Sequence, residues 1–144
     1  MIATAQRELL AAREDVWGFV AEPYHLSDWW PGVAGVEPDR RGFTPGARWR
    51  LRSSARPTGG PLTAFLRTPE AAGTLLVLDV QVPYFARLQF VEERIDVELT
   101  LEAIAPDRTR ATVTVDGSWL RVSRSLPRRA LARLHALIQT AAAL

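Results

Sequence analysis

Two short helical patterns interrupt a mostly strand-like sequence near its start, and one long helical pattern ends it. Apolar residues recur with helical spacing over Arg13–Ala21, and Pro23 stops that helix. A second short helix is predicted over residues 24–30, because the Pro31-Gly32 pair breaks the chain there. This order of elements predicts an α+β fold in which a curved sheet wraps around the last helix.

Most of the remaining sequence alternates between apolar and polar residues, which is typical of half-buried β-strands. Short turns between these segments indicate an antiparallel sheet. Residues 62–68, between turns predicted at 57–61 and 69–73, could form one more strand or extend the preceding hairpin. The predicted strands cover residues 2–10, 33–40, 47–53, 74–82, 84–93, 94–104 and 109–119.

The C-terminal helix is predicted to begin near Ser123 or Ser125 and to end near Ala142. We expect its apolar stripe to cover the apolar face of the sheet, while the two short helices close one end. Because one helix cannot fill a strongly curved sheet along its whole length, we predict an apolar interior cavity. The stripe consists of Leu126, Ala130, Leu131, Leu134, Leu137, Ile138 and Ala141.

Composition excludes several kinds of chemistry. The chain has 144 residues, which fits one domain spanning residues 1–144. It has no cysteine, so disulfides and thiolate chemistry are excluded, and no lysine, so Schiff-base catalysis is excluded. The two imidazoles, His25 and His135, lie in different elements, and we predict neither a metal site nor a cofactor. With no signal peptide and no membrane-spanning stretch in the sequence, we predict a cytoplasmic protein.

The charge pattern does not indicate nucleic-acid binding. The pI is about 9.9, but the net charge is only +2, because all 18 basic residues are arginines with very high pKa values. Arg48, Arg50 and Arg52 alternate on the outer face of one predicted strand. We expect acidic residues on neighbouring strands to pair with them, and we predict no nucleic-acid partner.

Four short motifs follow one another along the sequence. Val-Trp-Gly-Phe at 16–19 is followed by Pro-x-x-Leu-x-x-Trp-Trp-Pro at 23–31, and then by Gly46–Leu51 and Asp107–Val113. In these motifs the chain resembles the helix-grip superfamily (SRPBCC), which includes START domains, the major birch-pollen allergen and bacterial polyketide cyclase/dehydrase proteins. It departs from the family pattern at Arg56–Pro69, which is rich in proline and glycine, and strand pairing stays open there.

The resemblance implies a seven-stranded antiparallel sheet that grips the C-terminal helix. It also implies a cavity for lipids, polyketides, sterols, quinones or aromatic hormones. It does not imply catalysis, because the family includes carriers, ligand sensors and enzymes.

We predict the residues that line the cavity from two properties: the face of the strand on which they lie and their aromatic character. Glu92 shares parity with Phe90, and inside an apolar cavity its pKa would be raised so that it could move protons. If the strand ends first, Glu92 meets water at the rim. His135 borders the apolar face of the last helix, as an acid–base group or simply as a boundary residue. The predicted ligand-binding residues are Trp30, Trp49, Leu51, Tyr84, Leu88, Phe90, Leu99, Val113, Trp119, Leu134 and Ile138.

Three functions are consistent with these features. The first is binding of a hydrophobic small molecule, polyketide-, lipid- or aromatic-like, in an internal cavity. The second is an aromatase/cyclase- or dehydratase-like enzyme that holds a polyketide-type substrate and uses Glu92 or His135 for proton transfer. The third is a partner-binding protein with a filled interior and an exposed apolar patch.

Overall fold

The computed structural model describes residues 1–53, 72–81, 84–118 and 122–142. The strands are β1 (Ile2–Leu9), β2 (Val33–Glu37), β3 (Arg48–Ser53), β4 (Ala72–Gln81), β5 (Phe85–Phe90), β6 (Ile95–Ala105) and β7 (Arg108–Asp116). The helices are α1 (Arg13–Ala21), a short 3-10 helix (Pro23–His25), α2 (Leu26–Trp29) and α3 (Leu126–Ala142).

The strands form one antiparallel seven-stranded sheet in the order β1-β7-β6-β5-β4-β3-β2. Helix α3 packs against β1 and β7 and also against α2, and α1 packs against β6 and β7. The sequence predicted a curved antiparallel sheet, a long C-terminal helix and short helices after the first strand, and the structure has all three. The structure therefore confirms the helix-grip fold.

Strand alternation separates the two faces of the sheet as predicted. In β3, Trp49 and Leu51 are buried, and the three arginines between and beside them are exposed. In β6 the alternation holds through Leu101 and then stops, close to the point where the pairing with β7 shifts register between Ala103 and Ala105. Ala103, predicted to face inward, is exposed although it still pairs in regular register with Thr109.

The ends of several strands differ from the predicted ones. Strand β2 ends at Glu37, since Pro38 has no N–H to donate to a neighbouring strand. Strand β5 ends at Phe90 and a turn follows it, while β4 begins at Ala72, inside the predicted 69–73 turn. The predictions for residues 57–61 and 62–68 lie outside the described residues.

The buried face of α3 matches the predicted stripe over most of its length. Ala130, Leu131, Leu134 and Ile138 are buried, whereas Ala141 is exposed. Together with α1 and α2, this face closes the core on the concave side of the sheet.

Gly117, just after β7, stands where the backbone closely approaches core side chains. A Cβ built on Gly117 would lie 2.8 Å from Cγ2 of Val122 and 3.1 Å from Cγ1 of Ile95, and both residues are buried. We expect Gly117→Ala to lower the free energy of unfolding by about 1–3 kcal/mol in urea denaturation, because these packed side chains must move.

A second glycine provides the matched control for this substitution. Gly18 lies inside α1, and a Cβ built on it has no atom within 4 Å. Gly18→Ala should therefore raise the free energy of unfolding by roughly 0.5–1 kcal/mol, since alanine is the better helix former. Equal stability of Gly117→Ala and the parent protein would contradict the close packing at Gly117.

Candidate functional site

A cavity of about 450 Å³ lies between the segment after α2 and the ends of β3, β4 and β5. This volume is within the range of small-molecule sites. Its lining combines an apolar wall with polar groups at the strand ends. The apolar side chains include Trp30, Val33, Leu51, Phe90, Ile95 and Leu126. The polar ones are Arg52, Ser53, Thr74, Glu92 and Glu93.

The Trp29-Trp30-Pro31-Gly32 run places an aromatic wall in the cavity. The backbone N–H of Trp30 donates to the Leu26 carbonyl at 2.8 Å and ends α2, and Gly32, at φ 88°, turns the chain into β2. The Trp30 ring stacks on Phe90 at the end of β5, with centroids 5.5 Å apart and planes 24° apart. Both side chains are largely buried, with 4% of Trp30 and 8% of Phe90 exposed, and together they contribute to the apolar wall of the cavity.

Glu92 lies in the turn between β5 and β6 and is exposed. The backbone N–H of Thr74 donates to its Oε2 at 2.7 Å, across the β4–β5 pair. Burial raises the pKa of Glu92, but the hydrogen bonds from Thr74 outweigh it, and the net pKa lies below its ordinary value. Glu92 is therefore a fixed carboxylate at the rim, not the buried acid that strand parity suggested.

Arg52 also belongs to the cavity lining. Its guanidinium lies against Gly35 in β2, where the pairing with β3 is irregular, and a Cβ built on Gly35 would lie 2.5 Å from Nη2 of Arg52. Within the described parts of the chain, none of Arg48, Arg50 and Arg52 forms an ion pair. The expected pairing of this arginine row with neighbouring acids is therefore absent there.

The predicted wall residues fall into two groups. Trp30, Leu51 and Phe90 line the cavity. The others, as far as the structure describes the chain, lie outside its lining, and most of them are buried in the packed core. These core residues are Trp49, Leu88, Leu99, Val113, Leu134 and Ile138. Trp119 lies outside the described residues.

Tyr84 precedes β5, at the end opposite to Phe90. Its backbone has φ 95°, so the alternation of β5 does not extend back to it. Its hydroxyl donates to Oε1 of Glu14 at 2.9 Å, and the Arg13 guanidinium lies 3.6 Å from the ring centroid. The half-buried ring of Trp17 meets it edge-on, with centroids 6.2 Å apart. Tyr84 therefore belongs to a second aromatic group, away from the cavity.

His135 lies on α3 and faces β1 instead of the cavity. Nη2 of Arg7 donates to its Nδ1 at 3.3 Å. Burial, and then the positive charge of Arg7, lower the pKa of His135, so the ring is neutral at pH 7. Among the described residues, only Glu92 of the two proposed acid–base groups lines the cavity.

The sequence interpretation missed several lining residues, including Arg52, Thr74, Glu93 and Leu126. They lie at the ends of strands and helices, where periodicity carries no information about depth. A possible signal was the adjacent pair Glu92-Glu93, which interrupts the apolar alternation. No cluster of three or more potential metal ligands occurs in the described residues. Over the same residues, no helix has the length and apolar character to cross a membrane.

No protein-family model matches the sequence, and no curated protein matches it. Among solved structures, a protein from Nitrosospira multiformis aligns with a TM-score of 0.71 and 13% identity, over 100% of both chains. A protein from Bacillus thuringiensis aligns with a TM-score of 0.68 and 10% identity, over 96% of this chain and 99% of its own. Norcoclaurine synthase from Thalictrum flavum aligns with a TM-score of 0.63 and 13% identity, over 97% of this chain and 87% of its own. At these identities the likeness concerns the fold alone, and it agrees with the helix-grip prediction.

Proposed function

We propose that this protein binds a hydrophobic small molecule, polyketide-, lipid- or aromatic-like, in the cavity beside Trp30. The observation that carries the proposal is the cavity of about 450 Å³ with the stacked Trp30–Phe90 pair in its wall. An apolar ligand that covers these rings is removed from water, which contributes about 25 cal/mol per Å² of buried apolar surface. The polar groups at the rim would then orient the ligand.

A structure of a protein with the same fold supports small aromatic molecules as one ligand class. Norcoclaurine synthase was solved in complex with dopamine and hydroxybenzaldehyde. Both molecules are small enough for a cavity of the size found here. With only 13% identity, the comparison supports the type of ligand and not its identity.

We favour binding over the aromatase/cyclase- or dehydratase-like alternative. That alternative needs a group that can donate and accept protons at the cavity. Glu92 has a lowered pKa and His135 contacts Arg7 elsewhere, so neither of the two groups predicted for proton transfer is a general acid in the cavity. The third function, partner binding with a filled interior, does not account for a cavity of this volume.

Titration with the neutral fluorophore N-phenyl-1-naphthylamine tests the proposed function. We expect saturable binding of one molecule per chain. Trp30→Ala should weaken the binding at least about tenfold, because the aromatic wall of the cavity is lost. Binding is measured by fluorescence, and urea unfolding of each variant confirms that it is folded.

Trp17→Ala is the matched control, because it removes an equally large side chain from the aromatic group around Tyr84. Its dissociation constant should stay within about twofold of the parent value. An unsaturable titration of the parent protein, or equal losses in the two tryptophan variants, would contradict binding in this cavity.

A further inference from the structure

We propose that this cavity selects ligands that carry a protonated amine next to an apolar, preferably aromatic, body. The inference rests on the proposed function and names the class of ligand for the same site. It comes from the juxtaposition of a fixed carboxylate, Glu92, and a stacked aromatic wall, Trp30 and Phe90, in one cavity.

Glu92 offers a charged acceptor that is already oriented. Its Oε2 accepts the Thr74 backbone N–H at 2.7 Å, which holds the carboxylate between β4 and β5. The Thr74 side chain and the backbone N–H of Glu92 also act on this carboxylate as hydrogen-bond donors. A ligand ammonium group can bind this carboxylate with little loss of side-chain entropy, because the carboxylate is already held. The lowered pKa of Glu92 keeps it charged at neutral pH.

The aromatic wall favours the same sign of ligand charge. An aromatic ring carries partial negative charge on its face and attracts a nearby cation; here the two rings stack on each other, which leaves Trp30 4% and Phe90 8% exposed. Trp30 and Phe90 line the cavity together with Glu92, and Glu93 adds a second carboxylate to the rim. A ligand with a cationic end and a flat apolar end therefore matches this lining: the carboxylates complement its charge, and the aromatic wall complements its apolar end.

Arg52 is the group that would favour the opposite charge. Nη2, Nε and Cζ are its three atoms nearest to the Cβ position of Gly35, at 2.5 to 3.0 Å. The guanidinium thus lies against the β2 backbone instead of extending across the cavity. The lining thus contains one guanidinium, held in this way, and two carboxylates, so we expect the balance of charge to favour a cation.

The test compares three naphthyl probes of nearly equal size: 2-(1-naphthyl)ethylamine, 2-(1-naphthyl)ethanol and 1-naphthylacetate. Each displaces N-phenyl-1-naphthylamine from the protein at pH 7 and low salt. We expect the amine to bind at least about tenfold more tightly than the alcohol, and the carboxylate to bind more weakly than both. The preference for the amine should decrease as the salt concentration rises.

Glu92→Gln should bring the amine to within about twofold of the alcohol, because the side-chain carbonyl can still accept from Thr74 but the charge is gone. Glu98→Gln is the matched control, since Glu98 is exposed on β6, outside the cavity lining. That variant should retain the full preference for the amine.

The possible outcomes separate this inference from the proposed function. If the fluorophore binds but the alcohol or the carboxylate competes as well as the amine, the cation preference is overturned and the apolar site remains. If the amine keeps its preference in Glu92→Gln, another group recognises it and the assignment to Glu92 is overturned. If the fluorophore itself does not bind, both proposals fail. The three probes on the parent protein decide the charge preference even where a variant is unstable.

Discussion

Replacing Trp49 with alanine is expected to lower the free energy of unfolding by about 3–5 kcal/mol. Trp49 lies in β3, opposite Leu75 of β4, and is 1% exposed. Its indole Nε1 donates to the carbonyl of Gly42 at 2.8 Å, and its ring contacts Phe43, with centroids 5.8 Å apart. The substitution removes a large buried side chain and leaves the partly buried Gly42 carbonyl without its donor, and both effects destabilise the native state.

Two further variants separate these contributions in urea denaturation. Trp49→Phe keeps most of the apolar volume but loses the Nε1 donor, so we expect a smaller loss, of about 1–2 kcal/mol. Arg50→Ala, at the next position of the same strand, removes an exposed side chain and should change stability by no more than about 0.5 kcal/mol. A loss below about 1 kcal/mol for Trp49→Ala would show that Trp49 is not part of the core.

The sequence predicts the faces of the sheet well because alternation has a direct physical cause. Successive side chains of a strand point to opposite sides, and one side of this sheet is buried. The alternation of Trp49 and Leu51 with arginines in β3 is therefore sufficient to orient the strand. The order of the elements is sufficient for the fold class, since proline and glycine mark where each short helix ends.

The position of the cavity along the sheet could not be predicted in this way. Leu88 and Phe90 share a face of β5, yet only Phe90 reaches the cavity in the described structure. Periodicity specifies which face a residue occupies, but not how far along the strand helices and other strands cover that face. This coverage depends on long-range packing, including that of Trp30 on Phe90.

The role of Glu92 depended on where one strand ends. Parity placed it on the inner face, as long as β5 continued past Phe90. The strand instead ends there, and Arg94, at φ 55°, forms part of the turn that follows. The Thr74 N–H that holds Glu92 belongs to a neighbouring strand 18 residues away in sequence. No local pattern indicates that contact, so its effect on the pKa of Glu92 could not be foreseen.

Leu134→Ala is expected to lower the free energy of unfolding by about 2–5 kcal/mol without changing the affinity for N-phenyl-1-naphthylamine. Leu134 is 0% exposed on the face of α3 that packs against β1 and β7. The sequence interpretation placed it in the ligand cavity, whereas the structure places it in the packed core. Its truncation leaves a void that the surrounding core fills only in part, which accounts for the loss of stability.

The affinity distinguishes these two locations for Leu134. If the ligand lies in the cavity beside Trp30, the Leu134→Ala variant, while folded, should bind the fluorophore within about twofold of the parent. Leu51→Ala, which shortens a side chain in the cavity lining, should change that affinity. Arg133→Ala, at an exposed neighbouring position of α3, should change neither quantity. A truncated side chain changes the affinity when it contacts the ligand. Weaker binding in Leu134→Ala together with unchanged binding in Leu51→Ala would therefore place the ligand against α3 instead of in the cavity.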